Sequence, residues 1–264
     1  MRFQIDVHLD YFVPEPCNIL LQVEAAAMTD QRLIENTLLV SSARALTATE
    51  GEESIGQRTW AEAENRFQVD YHCIVDLDRS PPLLEHLAAD DPRDLPALVV
   101  PYLLPSRYCE SNEFEAFAQR EFFGSQGGAK VEAMLDWIGR NVDYVAGVSD
   151  TETTAVHTFV QQRGVCRDFA HLLTSFARAA TIPARIVSAY APDVNPPDFH
   201  AVVEVWLEGS WHLVDPTGMA QPGEIVRIGV GRDATDIAFM TVFGTASLNG
   251  QDVSVKRLGG NASS

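Results

Sequence analysis

Residues Phe3-Gln4-Ile5-Asp6-Val7-His8-Leu9-Asp10-Tyr11 alternate strictly between apolar and polar side chains, the period-2 signature of a strand with one buried face. Asn18-Ile19-Leu20-Leu21-Gln22-Val23, Asn36-Thr37-Leu38-Leu39-Val40 and Phe67-Gln68-Val69-Asp70-Tyr71-His72-Cys73-Ile74-Val75 are further strand candidates. Strands joined by polar turns, with little helical spacing between them, predict an antiparallel, β-sandwich-like region. Pro81, Pro82, Pro92, Pro96, Pro101 and Pro105 then follow one another closely. Proline at that density breaks ladders and helices alike, so the domain junction is placed here. This gives a β-rich N-terminal domain with its proline-rich junction over 1–105, and a second domain over 106–264. A short helix is expected at 83–89.

Beyond the junction the apolar spacing becomes helical. Asn112, with Glu115 three positions on, predicts a capped helix running through Phe122 to Gly124. Val131, Met134, Leu135 and Ile138 share one face of a helix over 129–142. A short helix over 154–163 closes at Gly164. The best helix covers 166–181, with Phe169, Leu172, Leu173, Phe176 and Ala180 on one face and Pro183 ending it. Arg185 to Tyr190 begins a strand. Phe199 to Leu207 and Trp211 to Val214 alternate around Glu208-Gly209-Ser210, a hairpin signal. The fold class is therefore α+β.

Composition adds constraints. An apolar fraction of 46% and a charged fraction of 21% are those of a globular protein. The net charge of −18 arises from 37 acidic against 19 basic residues, with Lys130 and Lys256 the only lysines. That surface repels nucleic acid and anionic membranes, so neither is expected as a partner. The opening residues alternate and hold no continuous apolar core, so they are not read as a signal peptide, and no stretch approaches a membrane span. Cys17, Cys73, Cys109 and Cys166 form no CxxC pair, which is neither a disulfide framework nor a zinc ribbon. A reducing cytoplasm is the expected setting, and a well-placed lone cysteine gains interest there.

Gly164-Val165-Cys166-Arg167-Asp168-Phe169 delivers such a cysteine to the first turn of the best helix. Unpaired N–H groups and the positive end of the helix dipole stabilise a thiolate there, and the same N–H groups can hold a tetrahedral oxyanion. A buried structural cysteine is the alternative. His200 opens a strand after the proline-rich loop, where its ring can face a cleft and serve as base to a thiol. Asp215, in Trp211-His212-Leu213-Val214-Asp215-Pro216-Thr217, stands where proline ends the partner strand, and a carboxylate there can fix the histidine tautomer. Taken singly, Cys166 reads as readily as a structural cysteine, while His200 reads sooner as a surface or hydrogen-bonded histidine and Asp215 as a turn residue. A two-residue turn centred on Gly209-Ser210 sets Asp215 opposite Glu204, about 13 Å along the strand from His200. A bulge, longer loop or strong twist must close that gap.

Together, cysteine at a helix start, His-Ala opening the next strand pair and Asp-Pro-Thr closing it form the pattern of the transglutaminase-like superfamily. Residues 164–218 resemble that family closely, Ala179-Ala180-Thr181-Ile182-Pro183-Ala184-Arg185 included. Tyr102-Leu103-Leu104-Pro105-Ser106-Arg107-Tyr108-Cys109, Cys166-Arg167-Asp168-Phe169-Ala170-His171 and Val230-Gly231-Arg232-Asp233-Ala234-Thr235-Asp236 are similar to bacterial transglutaminase-like cysteine proteases with a β-rich N-terminal domain. The resemblance implies a papain-related core and a catalytic triad of Cys166, His200 and Asp215. It implies acyl transfer on a peptide or protein amide through a thioester, with no cofactor and no metal. Hydrolysis is the expected outcome, since 167–199 leave no room for an aromatic-rich insertion that would build a second tunnel for a lysine amine. Amine transfer to protein glutamine and a non-catalytic peptide-binding cleft are the alternatives. Asp168 and His171 are expected to bond one another or line the cleft, Arg232 and Asp233 to line the site or tie down the C-terminal segment. Trp137, Asn141 and Tyr144 are candidates for a second oxyanion donor. Asp168, His157, His171 and His212 raise a metal reading whose spacings match no zinc pattern.

Overall fold

The computed structural model describes residues 1–259. Its strands are β1 (Arg2–Leu21), β2 (Gln31–Val40), β3 (Thr47–Glu50), β4 (Gln57–Leu77), β5 (Asp143–Tyr144), β6 (Arg163–Gly164), β7 (Ala184–Tyr190), β8 (His200–Leu207), β9 (Ser210–Val214), β10 (Val226–Gly231), β11 (Met240–Phe243) and β12 (Ser247–Leu258). The α-helices are α1 (Glu115–Glu121), α2 (Gly127–Asn141), α3 (Ala155–Gln161), α4 (Cys166–Ala179) and α5 (Ala234–Ile237). Antiparallel sheets and an α+β core thus answer the fold class expected from the pattern.

The alternation at the start of the chain does bury one face: Phe3, Ile5, Val7 and Leu9 are interior while their neighbours face outward. The two strands expected at 3–11 and 18–23 are one strand, β1. Its ladder with β4 is interrupted between Val13 and Cys17, where Pro14 and Pro16 cannot donate hydrogen bonds, and then resumes. β1 also pairs with β12 along its first half and with β11 along its end. The first sheet therefore joins β1–β4 with β11 and β12, strands far apart in the sequence. Strand edges from distant sequence satisfy each other here, a pairing that local pattern does not encode.

The second sheet runs β10-β7-β8-β9. Phe169, Leu172, Leu173 and Phe176 of α4 pack on one of its faces against Ile186, Val203 and Val205. Tyr190, Val226 and Ile228 join it to the core of the first sheet, and the Tyr190 hydroxyl donates to Val23 O at 2.6 Å. The segments at 83–89 and 111–114 are short 3-10 turns at Leu84–His86 and Ser111–Phe114. Asn112 spends its amide on Glu113 rather than capping α1.

A chain of buried charges crosses between the sheets. Glu204 on β8 accepts from Arg185 Nε at 2.8 Å and from Arg227 Nε at 2.7 Å. Arg227 continues to Asp30 at 3.0 Å, and Asp30 accepts from Arg79 Nε at 2.6 Å. Glu204, Arg185 and Arg227 are all buried, so removing the central carboxylate takes from both guanidinium groups their buried partner and leaves only the more exposed Glu53 and Asp30 to offset them. Glu204→Leu is expected to lower the unfolding free energy by about 3–5 kcal/mol, read by urea denaturation. A loss below about 0.5 kcal/mol, the range of ordinary surface changes, would show that the network holds nothing together.

Candidate active site

Cys166 is the first residue of α4, and Val165 before it is extended. Asp168, in the first turn, folds back so that its Oδ2 accepts from Val165 N at 2.8 Å. This fold-back fixes the helix start, and it demands glycine at 164: a Cβ there would meet Asp168 Cβ at 2.6 Å. Gly164 is held by β6, which pairs in parallel with β5 so that Tyr144 stands opposite Gly164. The turn that presents the thiol is thus clamped on both sides. Cys166 is half-buried and free of any disulfide.

His200 opens β8 and is buried. Its Nε2 bonds Asp215 Oδ2 at 2.9 Å. Asp215 is itself fixed by Thr217 N at 2.9 Å, Ala220 N at 2.8 Å and the Thr217 hydroxyl at 2.8 Å. The gap expected between Asp215 and His200 closes through the turn. Glu208 and Gly209, not Gly209 and Ser210, form it, with φ of 49° and 72°, the positive pair of a type I′ hairpin. Leu207 therefore faces Ser210 and Val203 faces Val214. Continuing that register sets Asp215 beside Val202, on the face His200 uses and only about 7 Å along the strand from it. Glu204, the residue expected opposite Asp215, is committed to its arginines.

Burial pushes the His200 pKa down, but the Asp215 hydrogen bond, the Cys166 contact and their two charges outweigh it and raise it to about 9. Burial likewise pushes Asp215 up, while His200 and the Thr217 and Ala220 amides hold it below the usual carboxylate range. Nε2 being taken, Nδ1 is the nitrogen left for the thiol. It has no hydrogen-bond partner among the described residues, and Cys166 is near enough to raise the pKa of the ring.

Other polar residues sort by their contacts. Asp168 and His171 do not bond each other: His171 Nε2 accepts from Ala234 N at 3.2 Å, and its ring stacks on Tyr108. Buried main-chain N–H groups took both side chains, which spacing along one helix does not reveal. Burial drives the His171 pKa down to about 3, so it stays neutral. Asp233 accepts from Tyr108 N and Thr235 N and Arg232 pairs with Asp236, which ties that segment down. Trp137 is packed among Phe117, Phe159 and Phe176, and Asn141 donates to Trp137 O. Of the three, Tyr144 is the one whose ionisation Cys166 influences, which puts it in the neighbourhood of the nucleophile. Asp198, two residues before His200, escaped notice in the sequence because it reads as one more polar residue of a proline-rich loop.

Residues 118–216 match the family model of the transglutaminase-like superfamily. The crystal structure of a "putative cysteine protease" from Cytophaga hutchinsonii is 33% identical, covers 99% of this chain and 92% of its own, and superposes with a TM-score of 0.92. ML0607 of Mycobacterium leprae (strain TN) is 26% identical over 219 residues, 79% of this chain and 68% of that protein. The chain belongs to the transglutaminase-like superfamily, within its bacterial cysteine-protease-like branch. That membership supports a cysteine-dependent activity. Among the described residues no helix is long and apolar enough to cross a membrane.

Burial raises the pKa of Cys17, Cys73 and Cys109, the last to about 12. Limiting iodoacetamide near pH 6 is therefore expected to label Cys166 first, read by peptide mass spectrometry; equal labelling of Cys73 or Cys109 would contradict it. The imidazolium partner survives until the pH rises through about 9, so the pH profile of Cys166 alkylation should change there. Asp215→Asn removes a charge that raises the His200 pKa, so that change is expected to move to lower pH. An unmoved profile would detach Asp215 from the histidine's ionisation.

Proposed function

We propose that the protein is a cysteine amidase or peptidase acting through the Cys166–His200–Asp215 triad. The observation carrying this reading is the His200–Asp215 bond of 2.9 Å in a buried pair placed against a free thiol at a helix start. Cys166 and His200 form a thiolate–imidazolium pair, oriented by Asp215. The thiolate attacks the amide carbonyl, the oxyanion takes hydrogen bonds from the Cys166 N–H and the Tyr144 hydroxyl, and His200 protonates the departing amine. Burial, with the neighbouring Cys166 charge, raises the Tyr144 pKa to about 12, so the phenol keeps its proton through the working range. Water then attacks the thioester and restores the thiol, with His200 as base. The four free cysteines support a cytoplasmic setting.

Hydrolysis is favoured over amine transfer by what separates the nucleophile from the base. The remainder of α4, the strand β7 and one loop fill that stretch, leaving nothing to wall a second tunnel that would deliver a neutral lysine amine.

Incubation with a glutamine peptide and a fluorescent primary amine, following ammonia release and amine incorporation together, is expected to show hydrolysis outrunning incorporation; the reverse at millimolar amine would overturn the hydrolytic assignment. Cys166→Ala and His200→Ala should each remove nearly all turnover, by about 10³-fold or more. Tyr144→Phe should lower kcat by about 10²-fold while leaving Cys166 alkylation unchanged, which separates oxyanion support from mere packing.

A further inference from the structure

The loop between β7 and β8 ends in Asp198-Phe199-His200, and β12 of the first sheet holds it at two points. Arg257 pairs with Asp193 at the start of the loop. Gln251 Nε2 donates to Asp198 at its end. Asp198 also accepts from Phe199 N at 2.7 Å, and Phe199 is stacked on Phe239 with ring centroids 4.4 Å apart. The carboxylate is thereby fixed in orientation; its residue is solvent-exposed, while partial burial of the carboxyl itself pushes its pKa above the usual carboxylate value. Its charge is felt by Tyr144 beside the nucleophile and by Tyr11 on β1, and it interacts with the His200 imidazolium. Asp198 therefore stands beside the triad, two residues before His200 and tied to β12 of the first sheet.

Both of its hydrogen-bond donors are neutral, and no arginine or lysine pairs with it among the described residues. The charges around it leave it uncompensated. Thiolate and imidazolium offset one another, Arg167 lies 3.7 Å from the buried Asp168 carboxylate, and Asp215, held ionised, adds a negative charge at the triad. A held, exposed carboxylate in such a setting repels anionic substrates and attracts cationic ones over a Debye length.

We propose that Asp198 is a specificity determinant that selects substrates carrying a positive group, a basic side chain or a free amine, beside the scissile amide. The proposal rests on the amidase reading above and names its substrate class. It also fits the hydrolytic outcome, because a carboxylate beside an approaching amine favours its protonated form, which cannot attack the thioester.

The test reads the thiol directly and so does not depend on turnover. Rates of Cys166 modification are measured at 0.15 M salt with the cationic 2-aminoethyl and the anionic 2-sulfonatoethyl methanethiosulfonates, in wild type and in Asp198→Asn. The amide keeps the two acceptor contacts, so the variant should fold, which circular dichroism checks. The ratio of cationic to anionic rates is expected to fall by about fivefold or more in the variant, the size of a one-charge effect at close range. An unchanged ratio overturns the proposal even if the enzyme proves to be an amidase. A matched pair of peptides with lysine or norleucine beside the amide should show a lower KM for lysine in wild type only. A lysine preference that persists in the variant would place the recognition elsewhere.

Discussion

Glu204 is the constraint on which the rest of the structure leans. A carboxylate with no exposure survives in a folded protein only if its charge is met, and here two arginines from β7 and β10 of the same sheet meet it. That requirement fixes β7, β8 and β10 side by side, and through Arg227 and Asp30 it binds the first sheet to the second. His200 stands four residues before Glu204 on the same strand. Locking the strand at Glu204 therefore sets where the histidine begins it.

The site inherits its geometry from two further local devices. The type I′ turn at Glu208-Gly209 sets the hairpin register so that Asp215 reaches His200 diagonally. The fold-back of Asp168 onto Val165 N, with room made by Gly164, sets the first turn of α4. Neither device touches a substrate, but each positions a group that would. The first sheet also takes part, since β12 clamps the loop leading into His200. Chain that looks accessory by sequence therefore orders the loop that leads into His200.

Much of this was legible in the sequence, and the rest was hidden for physical reasons. The period-2 runs at 3–11 and 67–75 and the apolar face of 166–181 declare themselves because burial is enforced residue by residue. Cys166, His200 and Asp215 could be named because each stands at an element boundary marked by glycine or proline. The hairpin register could not be read, because Glu208-Gly209 and Gly209-Ser210 are both plausible turns and one residue of shift moves the partner by two. The return of β11 and β12 to β1 was invisible, because it depends on which sheet edges remain unpaired once the chain has folded. The mutual bond expected of Asp168 and His171 failed against the stronger demand of buried N–H groups. Asp198 carried no local signal, since its meaning comes from Gln251 on a distant strand.

The proposed chemistry turns on Cys166 carrying the acyl group. Intact-protein mass spectrometry after acid quenching of a reaction with a slowly deacylating ester or amide tests it most directly. A single acyl adduct is predicted, mapping to Cys166 and absent from Cys166→Ala. Turnover that persists in Cys166→Ala, with no adduct on the wild-type thiol, would rule out Cys166 as the nucleophile.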